Sequence, residues 1–503
     1  MENADIVRTL AATVPIFMIF ILMLGFKLAS WKAGGIALIA SGLLAAFVWK
    51  LDAAHIFEAA GEGVLAAILP VVWVIFTAML LYNLCVKCGA MDTIRTMLAR
   101  YAPDEPVQVL LIVFAFGGFL ESVSGFGTAV AVPAAILMLF GFKPMRAAVI
   151  CLVSNTLAVA FGVVGIPVIT LASVTSLPVG PLSLMAALQL LPFCIFMPFL
   201  LVRMTVKTWR EMNKYIWLCL LSGIAFAAGQ TLSAWLLGPE LPAVVGSILS
   251  MAVIVFWQKV KHKEDPAQPR LSASLQFKAW SAYLIILVLV VCTRLIPALG
   301  FLDQAPFKIA IPIYEGGKPF TASLLTNPGT LILLASIAFC FIYRISPKGF
   351  FRSAWDTIKQ VKFAALTVIF IVALAKILGY SGMTNDLALG LAAATGSFFP
   401  LISPIIGAMG TFITGSDTSS NILFGLLQKQ TALYIGANET WITAANAAGA
   451  TIGKMLSPLS IALAATSTGL KGNEAGILKK TLPYAAVFAA VMAVLVYAVE
   501  IIL

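Results

Sequence analysis

Charge is scarce in this chain. Of its 503 residues, 11% are Asp, Glu, Lys or Arg, against about 25% in soluble proteins. Hydrophobic residues make up 61% and the mean hydropathy is +1.02. A fold with so few charges has no polar shell, which excludes a cytosolic enzyme, a nucleic-acid-binding protein and a disordered chain. Histidine is scarcer still, at two residues, His55 and His262. Neither stands among Cys, Asp or Glu at metal-ligand spacing, so no metal site is expected. There is no Walker A sequence for an ATP-driven pump and no cofactor motif. The seven cysteines form no framework. Cys85-Val-Lys-Cys88 is a lone pair of its type, read as two small hydrophobes at a membrane edge.

What the chain has in abundance is long apolar runs. A membrane-spanning helix needs about 20 such residues. Twelve runs qualify: 9–28, 33–50, 63–85, 147–171, 183–202, 216–237, 241–257, 279–299, 328–343, 363–379, 441–466 and 483–502. Two more are interrupted. Residues 107–141 contain Gly117, Gly118, Glu121, Gly125 and Gly127; residues 400–428 contain Pro404, Gly407, Gly410, Gly415 and Asp417. Each reads as a helical hairpin that enters the membrane and returns, an irregularity tolerated where protein or a cavity surrounds it. The predicted fold class is therefore an all-α polytopic membrane protein of about twelve spans plus two hairpins.

Charge sets the orientation. With the N-terminus outside and neither hairpin crossing, 24 of the 32 basic residues fall in inner loops, as expected when Lys and Arg accumulate on the cytoplasmic side. If 107–141 crossed once, Lys27 and Lys32 would face out, and Asp52, Glu58 and Glu62 in. Both termini are accordingly placed on the outer side. The net charge of +11 reflects this sidedness. Lys376, near an outer span end, is read as a snorkelling side chain.

The two halves echo each other. Gly117, Gly125 and Thr128 recur as Gly407, Gly415 and Thr418, offset by 290; Asn155, Gly162 and Pro167 recur as Asn446, Gly453 and Pro458, offset by 291. Ile75-Phe76 recurs as Ile369-Phe370, offset by 294. The first unit starts outside and the second inside, so they are read as inverted repeats, the plan of many secondary transporters. The expected organisation is two N-terminal spans (1–62), repeat 1 (63–205, with hairpin 107–141 and broken helix 147–171), connecting spans (206–354) and repeat 2 (355–503, with hairpin 400–428 and broken helix 441–466).

Hairpin tips and broken helices leave backbone groups free in mid-membrane. Half-helix N-termini suit a carboxylate and exposed carbonyls a cation. Ionisable residues at that depth are costly and are functional candidates. Three occur: Glu121 and Asp417, candidates for proton coupling, and Lys454, a candidate partner for a substrate carboxylate. Around them stand Ser122, Ser124, Gly125, Thr128, Asn155, Gly162, Gly415, Ser416, Thr418, Ser419, Ser420 and Asn446, which could bind a hydroxyl and a carboxylate together. Plainer readings stand beside these: Asp417 as a cap, Lys454 in a structural ion pair, hydroxyls bonded to their own helices, and Gly as close packing. Two other classes stay open, a membrane enzyme, for which no nucleophile–base pair is present, and a channel.

At these residues the chain resembles a known family. GGFLESVSGFGTAVAVPAAILMLFGFKPMRAAVICLVSNTLAVAFGVVGIPV, TFITGSDTSSNILFGLLQ and ANAAGATIGKMLSPLSIA resemble signature regions of the L-lactate permeases, which are similar in plan to the ion transporter superfamily. The resemblance implies import of L-lactate, D-lactate or glycolate with protons across a bacterial inner membrane. It implies that substrate and coupling ion bind between the hairpin tips and broken helices, here Glu121–Thr128, Asn155–Pro167, Gly415–Asn421 and Asn446–Pro458. The expected partners are a small monocarboxylate, H+ and the lipid bilayer, with an oligomer compatible and nucleic acid excluded. The alternative is a sodium-coupled carrier of another small organic anion.

Overall fold

A computed structural model describes residues 6–125, 127–261, 272–315 and 319–502. Among these, twelve helices are long and apolar enough to cross a membrane, and one further pair, Pro144–Asn155 and Val159–Thr175, is bent by 59°. The all-helical class and the approximate span count agree with the sequence. The membership differs: Glu105–Val123 and Met383–Thr414 qualify by length, whereas Pro328–Tyr343 falls short. His262 lies outside the described residues.

Some of the interruptions in the sequence, at Gly125, Gly127 and Gly415, are interruptions of helix. The first hairpin runs down Glu105–Val123, turns through Ser124 to Gly127 and returns as Thr128–Leu139. All residues from 106 to 125 are buried, which suits an element enclosed by protein. The second hairpin pairs Phe399–Thr414 with Asp417–Ile435. Its turn needs Gly415, whose φ of +72° is in the region glycine adopts without a Cβ clash. The first broken helix stops at Asn155 and resumes at Gly162–Thr175. The second stops at Lys454 and restarts at Pro458, where the Ser457 hydroxyl accepts the Ser460 N–H at 3.2 Å. Proline is tolerated at that first helical position because its missing N–H would be unpaired anyway.

Glycine also lets one hairpin arm touch a broken helix backbone to backbone. A Cβ on Gly407, Gly449 or Gly453 would fall 2.2, 1.9 or 2.0 Å from a carbonyl oxygen of the facing helix. Small residues allow this approach where no water drives helices together. Part of the glycine pattern is therefore packing.

The basic loops gather at one end of the molecule. Trp31 stacks on Phe363, Lys87 pairs with Asp356 at 3.1 Å, Lys259 lies over Tyr101, and Arg146 Nε donates to Met204 O at 2.8 Å. At the other end a two-stranded hairpin, Lys308–Ile311 with Phe320–Ser323, forms in a segment with no readable sequence pattern. Tyr314 from that segment stacks on Tyr380 at 3.6 Å. Met383–Thr395 is a helix the sequence did not announce, tied down by Trp49 Nε1 donating to Asp386 Oδ2 at 2.8 Å.

Lys376 does not snorkel. Its ammonium bonds Glu62 Oε1 at 2.5 Å, and the Tyr380 hydroxyl donates to Glu62 Oε2 at 2.7 Å. The reason is proximity: Gly63 lets its helix approach so closely that a Cβ there would lie 2.5 Å from Ala373 Cα. Lys376→Met strands the Glu62 carboxylate and is expected to destabilise the protein by about 3–5 kcal/mol, read as a lower thermal midpoint in detergent. Glu62→Gln combined with Lys376→Met is expected to recover most of the loss.

Candidate functional site

Both hairpin tips and both broken helices meet around a chamber of about 190 Å³. Its polar wall comes from the second hairpin and the second broken helix. Ser416 caps the Asp417–Ile435 helix, its Oγ accepting from Ser419 N at 3.3 Å. This turns the helix N-terminus, with its unpaired N–H groups and partial positive charge, toward the chamber. Asp417 is therefore not the cap; both its carboxylate oxygens are buried without a hydrogen-bond partner. Lys454, the last residue of its helix, donates to Gly415 O at 2.9 Å. No carboxylate of the described residues lies within ion-pair distance of it, although its charge acts on both Asp417 and Glu121.

Glu121 enters from the first hairpin. It is 3% exposed, and its Oε2 has no partner. Gly162 gives it room, since a Cβ there would sit 3.3 Å from Glu121 Oε1. The apolar wall is Ile75, Val159, Val163, Ile166 and Leu459. The lining also includes Ser30, the first residue of the helix Ser30–Phe47, and Ala364 and Thr367 from the middle of Pro347–Tyr380.

The predicted site residues divide. Glu121, Gly162, Gly415, Ser416, Asp417, Thr418, Ser419 and Lys454 line the chamber. The others stand behind it. Ser122 donates to Phe119 O at 2.7 Å and Ser124 to Leu120 O at 2.8 Å. Thr128 bonds Gly125 O at 2.8 Å, and Ser420 bonds Gly407 O at 2.8 Å. Gly125 forms the tip beneath Val163.

Asn155 and Asn446, matched in the sequence, differ in place. Asn155 comes close to Glu121 without completing a hydrogen bond. Asn446 is locked in a buried chain: its Nδ2 donates to Asn421 Oδ1 at 2.8 Å, and its Oδ1 accepts from Gln428 Nε2 at 3.2 Å. Asn421 Nδ2 in turn donates to Pro167 O at 3.1 Å. Pro167 lines the chamber, and Ile169, two residues on, lines a second cavity of about 830 Å³ toward the opposite end, together with Ala172, Lys376 and Glu240. The sequence marked Ile75 only as a repeat match, and Val159, Val163 and Ile166 only as part of the stretch Asn155–Pro167. Apolar side chains in an apolar chain carry no signal; the one available was the run of glycines beside them.

A polytopic helical protein whose hairpin tips and broken helices enclose a small charged chamber has the construction of a membrane transporter of small solutes. More narrowly, the chain belongs to the L-lactate permease family, which it matches over residues 8–503. It is 36% identical to an L-lactate permease of Streptococcus iniae, over 87% of this chain and 93% of the relative. It is 35% identical to an L-lactate permease of Bacillus subtilis, over 95% and 93%, and 34% identical to the glycolate permease GlcA of Escherichia coli, over 97% and 94%. Among solved structures, the YdaH transporter of Alcanivorax borkumensis aligns over 84% of both chains at 14% identity and a TM-score of 0.47.

Proposed function

We propose that this protein imports L-lactate, and also D-lactate and glycolate, across the plasma membrane by symport with protons. The relatives named for lactate and glycolate support the substrate class. The basic loops are placed in the cytoplasm and both termini outside, following the bias of Lys and Arg. The chamber is taken to open to the cytoplasmic side, where Ser30 of its wall stands between Lys27 and Lys32, and to be closed on the outer side by the packing that holds Asn421 to Pro167. Two inverted repeats exchange these roles during the cycle.

The observation that carries proton coupling is the charge set of the chamber: one ammonium and two carboxyls, with no ion pair between them. With both carboxyls ionised the set sums to −1 and repels an anion. Protonating one makes it neutral, and Lys454 and the Asp417 helix N-terminus can then hold a carboxylate. Burying a protonated carboxyl is also far cheaper than burying a charged one. Substrate and proton each favour the other's binding, as linkage requires.

Uptake of labelled lactate into vesicles is expected to rise with an inward proton gradient, collapse with a protonophore and ignore sodium. Uptake that needs sodium and survives the protonophore would reject this coupling.

A further inference from the structure

The first broken helix carries an unusual backbone. Val163, Val164 and Gly165 occupy the left-handed region in succession, with φ of +45°, +56° and +78°. Position 165 needs glycine, because a Cβ there would lie 2.1 Å from Pro239 O. For a β-branched residue, positive φ is a genuine outlier, and such strain gathers at functional sites. Glycine would be the relaxed choice at position 163. Valine is there instead, and its side chain does two things: it lines the chamber, and it covers the first hairpin tip so closely that a Cβ on Gly125 would fall 2.3 Å from Val163 Cγ2.

We propose that Val163 sets the upper size limit of the transported acid, closing the apolar wall against which the carbon substituent of a 2-hydroxy acid lies. The inference rests on the monocarboxylate reading above and specifies its substrate class. The carboxylate is drawn to the polar wall of Lys454 and the Asp417 helix N-terminus. Hydroxyls of Ser416, Thr418 and Ser419 lie on that same wall. What remains for the substituent is the surface of Val163 with Val159, Ile166 and Ile75. A chamber of about 190 Å³ lies below the roughly 300–1,000 Å³ of pockets that take drug-sized ligands. Hydrogen or methyl needs least of that wall, and each added carbon brings the substituent closer to Val163.

The test is a competition series in proteoliposomes, with glycolate, lactate, 2-hydroxybutyrate and 2-hydroxyvalerate inhibiting counterflow of labelled lactate. The wild type is expected to lose inhibition at least tenfold on going beyond lactate. Val163→Gly, which suits the left-handed backbone, is expected to move that drop outward by one carbon or more. Val163→Ile is expected to shift preference toward glycolate by at least fivefold.

An unchanged cut-off in Val163→Gly would overturn the proposal. So would equal losses for all four acids in variants that match the wild type in gel filtration and thermal midpoint. Failure of the wild type to move lactate would instead count against the proposed substrate, and is read before the variants are compared.

Discussion

Replacing Lys454 by methionine is expected to abolish lactate uptake while leaving the protein folded. Lys454 is 9% exposed, and its ammonium makes one hydrogen bond, to Gly415 O at 2.9 Å. An ammonium has three donors, so two remain for a substrate carboxylate. Without it, the chamber contains two carboxyls and no cation, and an entering anion meets only repulsion and a helix terminus. Truncating a buried charge partner costs about 2–5 kcal/mol, a loss of roughly thirtyfold or more in apparent affinity. Lys454→Arg keeps the charge with a bulkier head and is expected to retain part of the activity. Transport assays on purified, reconstituted variants, with the thermal midpoint measured alongside, separate loss of binding from loss of fold. Lactate affinity unchanged in Lys454→Met would remove Lys454 from the site.

The sequence revealed the chamber's charged residues more readily than its walls. Glu121, Asp417 and Lys454 stood out because ionisable groups are rare in apolar runs, and all three line one cavity. Gly415 was legible as a helix stop because so few residues tolerate its backbone. The hydroxyls were less so: Ser122, Ser124 and Ser420 bond carbonyls of their own hairpins, a fate that no spacing distinguishes from ligand binding. Likewise the glycines at 407, 449 and 453 look like those at the tips, yet they serve contact between helices. The helix Met383–Thr395 was missed because 13 residues containing Asn385 and Asp386 are too short and too polar to read as a span. It is held by tertiary bonds, from Trp49 and Thr9 to Asp386 and from Tyr434 to Asn385. Lys376 was misread for the same reason: Glu62 lies 314 residues away in the chain.

Asp417→Asn is expected to separate substrate movement from proton coupling. In the proposed cycle, ionised Asp417 competes with the substrate carboxylate for the same positive groups, its own helix N-terminus and Lys454. The amide holds the site permanently in the equivalent of its protonated form. With Glu121 ionised, the chamber is then neutral before substrate arrives. Lactate should still bind and exchange, so counterflow is expected to stay within a few-fold of wild type. Accumulation should not. Symport of one proton with one lactate is electroneutral, so it is driven by the pH difference alone. One pH unit is worth about 1.36 kcal/mol per proton, enough for about tenfold accumulation. Under that gradient the Asp417→Asn variant is expected to equilibrate near onefold. Glu121→Gln should behave in the same way if both carboxyls cycle, and normally if Asp417 alone carries the proton. Wild-type accumulation in both variants would place the coupling proton outside this chamber.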